Sequence, residues 1–125
     1  MADLTNYMEN QVAILLAAGT PTVGTGRFAC LFTADPTETG AFTNEVGETG
    51  YARQSMAMSA SGDTADNDAQ IQFTTTGSSV TVTHYGVADA VTGGNLLWST
   101  ALDESRVWGS GTLTAAAGAF SAQAD

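Results

Sequence analysis

The chain has 125 residues, and its 13 acidic side chains against three arginines and no lysine give a net charge of −10. That length is enough for one domain with a core of its own, and three cations are too few to neutralise a nucleic-acid backbone or to dock on an anionic lipid surface. Cys30 is the single cysteine, which excludes an intrachain disulfide and a cysteine-built zinc or iron–sulfur site.

The first predicted element is the one helix, within residues 1–19. Leu4, Met8, Val12, Leu15 and Leu16 recur at three- and four-residue spacing and fall along one stripe. Asp3 is placed to cap its start, and Asn6 with Glu9 offers a second capping arrangement one turn later. Gly19 and then Thr20-Pro21 stop it. So short a helix is marginal alone, and its stripe must lie either on this chain's own sheet or on a neighbouring subunit. The apolar run from Val12 to Ala18 is too short to span a bilayer and follows acids rather than a basic segment, so no membrane span and no export signal are expected. The protein is expected to be made in a cytoplasm.

From residue 22 the period changes to two. Arg27 to Thr33 predicts a strand with Phe28, Cys30 and Phe32 on one face, and Cys30, between Ala29 and Leu31, reads as a small core residue. Ala34-Asp35-Pro36-Thr37 signals a turn, and the polar stretch to Gly50 reads as a long surface loop. Tyr51 to Ser59 alternates again as a strand, and Ser61 to Asn67 reads as a second polar loop. Ile71 and Phe73 mark a short strand, and Val80, Val82 and His84 a longer one reaching Val87. Thr92-Gly93-Gly94-Asn95 is the strongest hairpin signal, leading into Leu96-Leu97-Trp98-Ser99. Leu113 and Phe120 sit in two last strand candidates joined through Ala117-Gly118. Many short strands separated by Gly, Asp and Asn predict an antiparallel β-sandwich or barrel-like fold over 22–125, preceded by one helix, with 1–125 as a single structural domain. Phe28, Phe32, Ile71, Val80, Val82 and Leu96 form the expected core.

Candidate chemistry is thin. Gly24-Thr25-Gly26-Arg27-Phe28-Ala29 fits a G-x-G-x-x-A fingerprint formally, but a dinucleotide site needs a strand before it and a helix after it, and here the order is reversed. Asp63, Asp66 and Asp68 cluster in the second polar loop without the spacing of a calcium loop, and Asp35, Glu38, Glu45 and Glu48 are scattered through the first. His84 is the one histidine; it falls in a strand with no nucleophile elbow anywhere in the chain. The expectation is a non-enzymatic protein with no catalytic residue, no cofactor and no metal. Arg106-Val107-Trp108-Gly109 reads as a loop in which an arginine beside an aromatic has the composition of an interface hot spot. Trp108 is therefore either core or, with Arg106, a contact surface. Leu4, Met8, Val12 and Leu15 are the other candidate interface residues.

An ordered set of motifs carries a resemblance. After the helix come Leu31-Phe32-Thr33-Ala34-Asp35-Pro36-Thr37, then Glu45-Val46 ahead of Gly50-Tyr51-Ala52-Arg53. Ile71-Gln72-Phe73, Val82-Thr83-His84-Tyr85-Gly86-Val87, Asp89-Ala90 and Thr92-Gly93-Gly94-Asn95-Leu96-Leu97-Trp98 follow. From Asp3 to the C-terminus this string resembles a family of small tailed-phage and prophage virion proteins, some labelled tail fibre and others head decoration or cement. The chain departs from that pattern in a shorter polar segment after Tyr51-Ala52-Arg53 and in the alanine-rich run Ala115-Ala116-Ala117-Gly118-Ala119. The resemblance implies a component of the outer surface of the phage particle and brings no catalytic residue. With no internal repeat or stalk, a decoration or cement role on the head is favoured, with the major capsid protein and further copies of the chain as partners and a trimer as the first guess. The alternative is a tail fibre or a tail-associated adaptor or receptor-binding component.

Overall fold

The computed structural model describes residues 3–77 and 79–123; the first two residues of the expected 1–19 helix lie outside them. The fold is mainly β with one N-terminal helix and antiparallel sheets, consistent with a β-sandwich. In chain order the elements are β1 (Asp3–Leu4), α1 (Asn6–Leu16), β2 (Phe28–Phe32), β3 (Gln54–Ser55), β4 (Met58–Ser61) and β5 (Thr64–Asn67), followed by β6 (Ile71–Thr75), β7 (Val80–Ala88), β8 (Leu96–Trp108), β9 (Gly111–Ala115) and β10 (Ser121–Gln123). The largest sheet runs in the order β1-β8-β7-β2-β3. A three-stranded sheet β10-β5-β4 and a ribbon β6-β9 complete the β structure.

The helix begins later than its leucine pattern suggests. Asp3 and Leu4 pair with Ser99 and Trp98 on β8, so neither residue is helical and Asp3 is not the cap. Thr5 is the cap: its hydroxyl accepts the Met8 N–H at 3.3 Å and also donates to the Leu96 carbonyl. The buried line of α1 is also shifted from the expected stripe. Tyr7 and Met8 pack on the core and Gln11 is the buried helix residue, whereas Leu15 and Leu16 are 59% and 82% exposed. The cause is the segment after the helix, which folds back along it. The Gln11 side-chain oxygen accepts the Thr22 N–H at 2.7 Å, and the Tyr7 hydroxyl donates to the Thr22 carbonyl at 2.8 Å. At the C-terminus, Ala18 N–H bonds Leu15 O and Gly19 N–H bonds Ile14 O, a Schellman closure. Ala18, not Gly19, takes the left-handed conformation, at φ 63°. Glycine at 19 answers a different need, since a Cβ there would lie 2.8 Å from the Ile14 side chain.

The sheet buries both faces of β2, which is why its burial runs through Ala29, Cys30, Leu31 and Phe32 without alternation. Ala29 and Leu31 belong to the larger core with Ile71, Phe73, Val82, Val87, Leu97, Trp98, Trp108 and Phe120. Cys30 and Phe32 face the other way, into a smaller core with Ala88, Leu96 and Phe42. The expected single core is therefore two: Ile71 and Val82 lie in one, Phe32 and Leu96 in the other, and Phe28 and Val80 are half-buried.

The loop between β2 and β3, expected on the surface, supplies the cover for the smaller core. Phe42 stacks on Phe32 at 6.4 Å between ring centroids, the stretch 44–46 hydrogen-bonds along the end of β2, and Val46 is buried in the larger core. Ser61 to Asn67 is not a loop. It is the turn and second strand of a hairpin, Ser61 opposite Thr64, with Gly62 at φ 61°. The expected strand over Tyr51–Ser59 is correspondingly broken into β3 and β4. The final two strands exist but do not pair with each other: β9 joins β6, and β10 joins β5.

Between β7 and β8 the chain turns through 89–95 rather than through a two-residue hairpin. Gly93 and Gly94 take φ 60° and 70°, while Asp89 closes the base, its N–H donating to Asn95 O and its carboxylate accepting the Asn95 N–H at 2.8 Å. The following strand runs on to Trp108, so the expected loop at Arg106-Val107-Trp108 is strand, paired in order with Val82, Thr81 and Val80. Propensity at Val107 and Trp108 agrees with that.

Candidate functional site

Residues that carry the sequence resemblance converge on one knot. The Arg53 guanidinium makes two parallel bonds to the Glu45 carboxylate, Nε to Oε2 at 2.8 Å and Nη2 to Oε1 at 2.9 Å. Its third nitrogen donates to the carbonyls of Ala90 and Gly93, both at 2.8 Å, and its carbon lies 4.2 Å from the centre of the Phe42 ring. Tyr51 donates to Glu45 Oε2 at 2.8 Å and accepts the Leu31 N–H at 3.1 Å. Glu45, Tyr51, Arg53 and the 89–95 turn are thus separate motifs of the sequence and a single clamp of the structure. Every donor atom of this cluster, the three Arg53 nitrogens and the Tyr51 hydroxyl, bonds within the protein itself, as in a structural clamp.

Burial drives the Tyr51 hydroxyl and the Cys30 thiol upward from their ordinary values, and the charge on Glu45 adds to both. Tyr85 is raised for the same first reason, with Asp103 adding to it. For each group the neutral form is favoured in the folded state, so the stability it contributes is complete below its unfolded pKa and is lost as pH rises toward the folded one. The expected result is that Tyr51 and Tyr85 titrate late and together with unfolding above pH ~10. Ultraviolet difference titration followed beside circular dichroism checks this, and early, reversible ionisation of Tyr51 and Tyr85 in the folded protein would contradict it.

One open feature among the described residues is a groove of about 400 Å³ on the larger core. Leu31, Phe73, Val82 and Phe120, all buried, lie beneath it; Leu102, Asp103 and Arg106 on β8, and Leu113 to Ala115 on β9 with the following Ala116, form its walls. An irregularity in β8 shapes it. The pairing passes from His84–Ala101 directly to Val82–Arg106, so the residues between bulge outward and present Asp103 and Arg106 at the rim. Tyr85 lines the groove, is packed edge-on against Phe120 and Trp98, and donates its hydroxyl to the Ala119 carbonyl at 3.1 Å.

The candidate interface residues separate on this frame. Leu4 is on β1 and, with Met8, packs on the larger core. Val12 is half-buried, and Leu15 faces solvent beside Leu16. Trp108 is 5% exposed inside the chain's own core, its ring N–H bonded to Gly111 O at 3.3 Å. Arg106 is exposed at the groove. The groove was not legible beforehand, because its walls come from strands whose pairing no local pattern reveals. Only the charged run Asp103-Glu104 and Arg106, interrupting an otherwise apolar strand, hints at it.

The remaining sequence candidates are accounted for locally. Arg27 donates to the carbonyls of Gly24 and Gly26, both at 2.6 Å, so the glycine turn is closed by its own neighbour and opens no helix. His84 Nδ1 sits 2.8 Å from the Thr83 hydroxyl. Among the described residues no three His, Cys, Asp or Glu side chains converge as metal ligands, and no helix is long and apolar enough to cross a membrane.

Comparison with known proteins gives one family. A family model described as Podophage GP4 fiber I protein gp80 matches residues 3–123. No curated protein matches the chain.

Proposed function

The chain belongs to the Podophage GP4 fiber I protein gp80 family, a fibre-type family of phage virion structural proteins, and from that membership we propose that it is a non-enzymatic fibre component on the outer surface of the particle, attached through the tail. The observation that carries this reading is the extent of the family match, which covers all but the terminal two residues at each end. The proposed mode of action is binding rather than catalysis, and the internal use of His84, Arg27 and Arg53 supports it. The acidic surface suits a protein displayed in many copies, since like charge discourages particles from clumping.

A second reading has its own support. The described residues fold back on two adjoining cores, without an extended stalk or repeat, and a short globular chain of this kind suits a decoration protein that cements the head by binding the major capsid protein at subunit junctions. One experiment separates the two. Labelled protein is incubated with isolated heads and with isolated tails, and each is sedimented. Binding to tails alone is the expected result. Binding to heads alone overturns it in favour of cement, and binding to neither removes both.

A further inference from the structure

Two surfaces of the chain are incomplete, and each has what the other lacks. One is the end of α1. Leu15 and Leu16 are 59% and 82% exposed on a helix with no basic residue in its last turn, so the negative end of the helix dipole faces solvent without compensation. The Schellman closure takes up the carbonyls of Ile14 and Leu15, and among the described residues no backbone N–H reaches those of Leu16 and Ala17. The other surface is the groove beside β8, where the half-buried Leu102 and Leu113 leave apolar surface open and where Arg106 stands exposed on the rim beside Asp103. Arg27 and Arg53 are both held by internal acceptors. Among the described residues Arg106 has neither a hydrogen bond nor an ion pair.

We propose that the groove receives the C-terminal end of α1 from a second copy of the chain, with Leu15 and Leu16 over Leu102 and Leu113 and Arg106 against the unbonded carbonyls of the helix end. The fit is apolar to apolar and cation to helix C-terminus, which are the two complementarities that such a contact needs. Because the helix end and the groove are different patches, the contact is head-to-tail, and repeated copies close into a ring or continue as a filament. At −10 per copy, long-range repulsion opposes assembly, so added salt should tighten it by screening. This stands whichever part of the particle carries the protein.

The test uses purified protein without particles. Leu16→Cys is made in one copy and Ala116→Cys, on the exposed groove wall, in another. Cys30 is fully buried and does not compete. Under mild oxidation the mixture should give a disulfide-linked heterodimer in roughly tenfold excess over either homodimer, and Arg106→Glu in the groove copy should lower the yield about tenfold. Both cysteine positions are exposed, so circular dichroism should show the fold unchanged. Dominant Leu16→Cys homodimers would mean tip-to-tip pairing and overturn the proposal. So would a statistical mixture of products, or a heterodimer yield indifferent to Arg106→Glu.

Discussion

Replacing Arg53 by alanine is expected to lower the unfolding free energy by about 3–5 kcal/mol, the range for breaking one partner out of a buried ion pair. Its side chain is 5% exposed and that of Glu45 15%, so solvent cannot stand in for the lost fork. The substitution leaves the Glu45 carboxylate with only the Tyr51 hydroxyl in place of three donors. It also strips the Ala90 and Gly93 carbonyls of their donor, so the 89–95 turn loosens together with the 44–46 stretch. Arg53→Lys should recover only part of the loss, because an ammonium cannot match the two parallel bonds or the planar contact over Phe42. Removing both partners, as Arg53→Met with Glu45→Met, should cost less than the two single changes added, by about 0.5–3 kcal/mol, since no unpaired charge remains. Urea unfolding followed by circular dichroism measures all five variants, the two methionine singles included. A cost below about 1 kcal/mol for Arg53→Ala would mean that the pair behaves as a surface salt bridge.

That clamp also explains what could and could not be read from the chain. Period-two alternation is reliable where a strand has one wet face, and it located β6 and β7. At β2 the pattern named Phe28, Cys30 and Phe32 as one face but said nothing of Ala29 and Leu31, which are core. A short apolar run cannot say whether one face or two are covered. The hairpin over Met58–Asn67 was missed because Ser, Asp and Asn have poor strand propensity, and there pairing is decided by Asn67. Its side chain is buried and bonds the nearby Ala69 carbonyl together with the Ala116 carbonyl and the Phe120 N–H, two partners distant in sequence. Arg106 was singled out by composition and does sit exposed at the groove, whereas Trp108, two residues on along the same strand, points into the core. Neither residue's environment is set locally; the bulge in β8 decides both.

Phe32→Ala and Phe73→Ala are each expected to cost about 3–5 kcal/mol, as large-to-small changes at fully enclosed positions do. Phe32 is 0% and Phe73 1% exposed. The value of the pair lies in their combination. Phe32 fills the smaller core, stacked on Phe42, and Phe73 fills the larger one, stacked on Tyr51 at 6.1 Å. The sheet stands between the two cores, so the cavities have no wall in common and the costs should add to within about 0.5 kcal/mol. Their sum, roughly 6–10 kcal/mol, is comparable to the whole stability of an ordinary domain, and the double variant should be unfolded or nearly so at room temperature. Urea midpoints of the two single variants fix the expected sum, and the folded fraction of the double variant checks it. A single core shared across β2 would give a different result. The second substitution would then relax into space already opened by the first, and the double variant would stay folded with a total cost well short of additive.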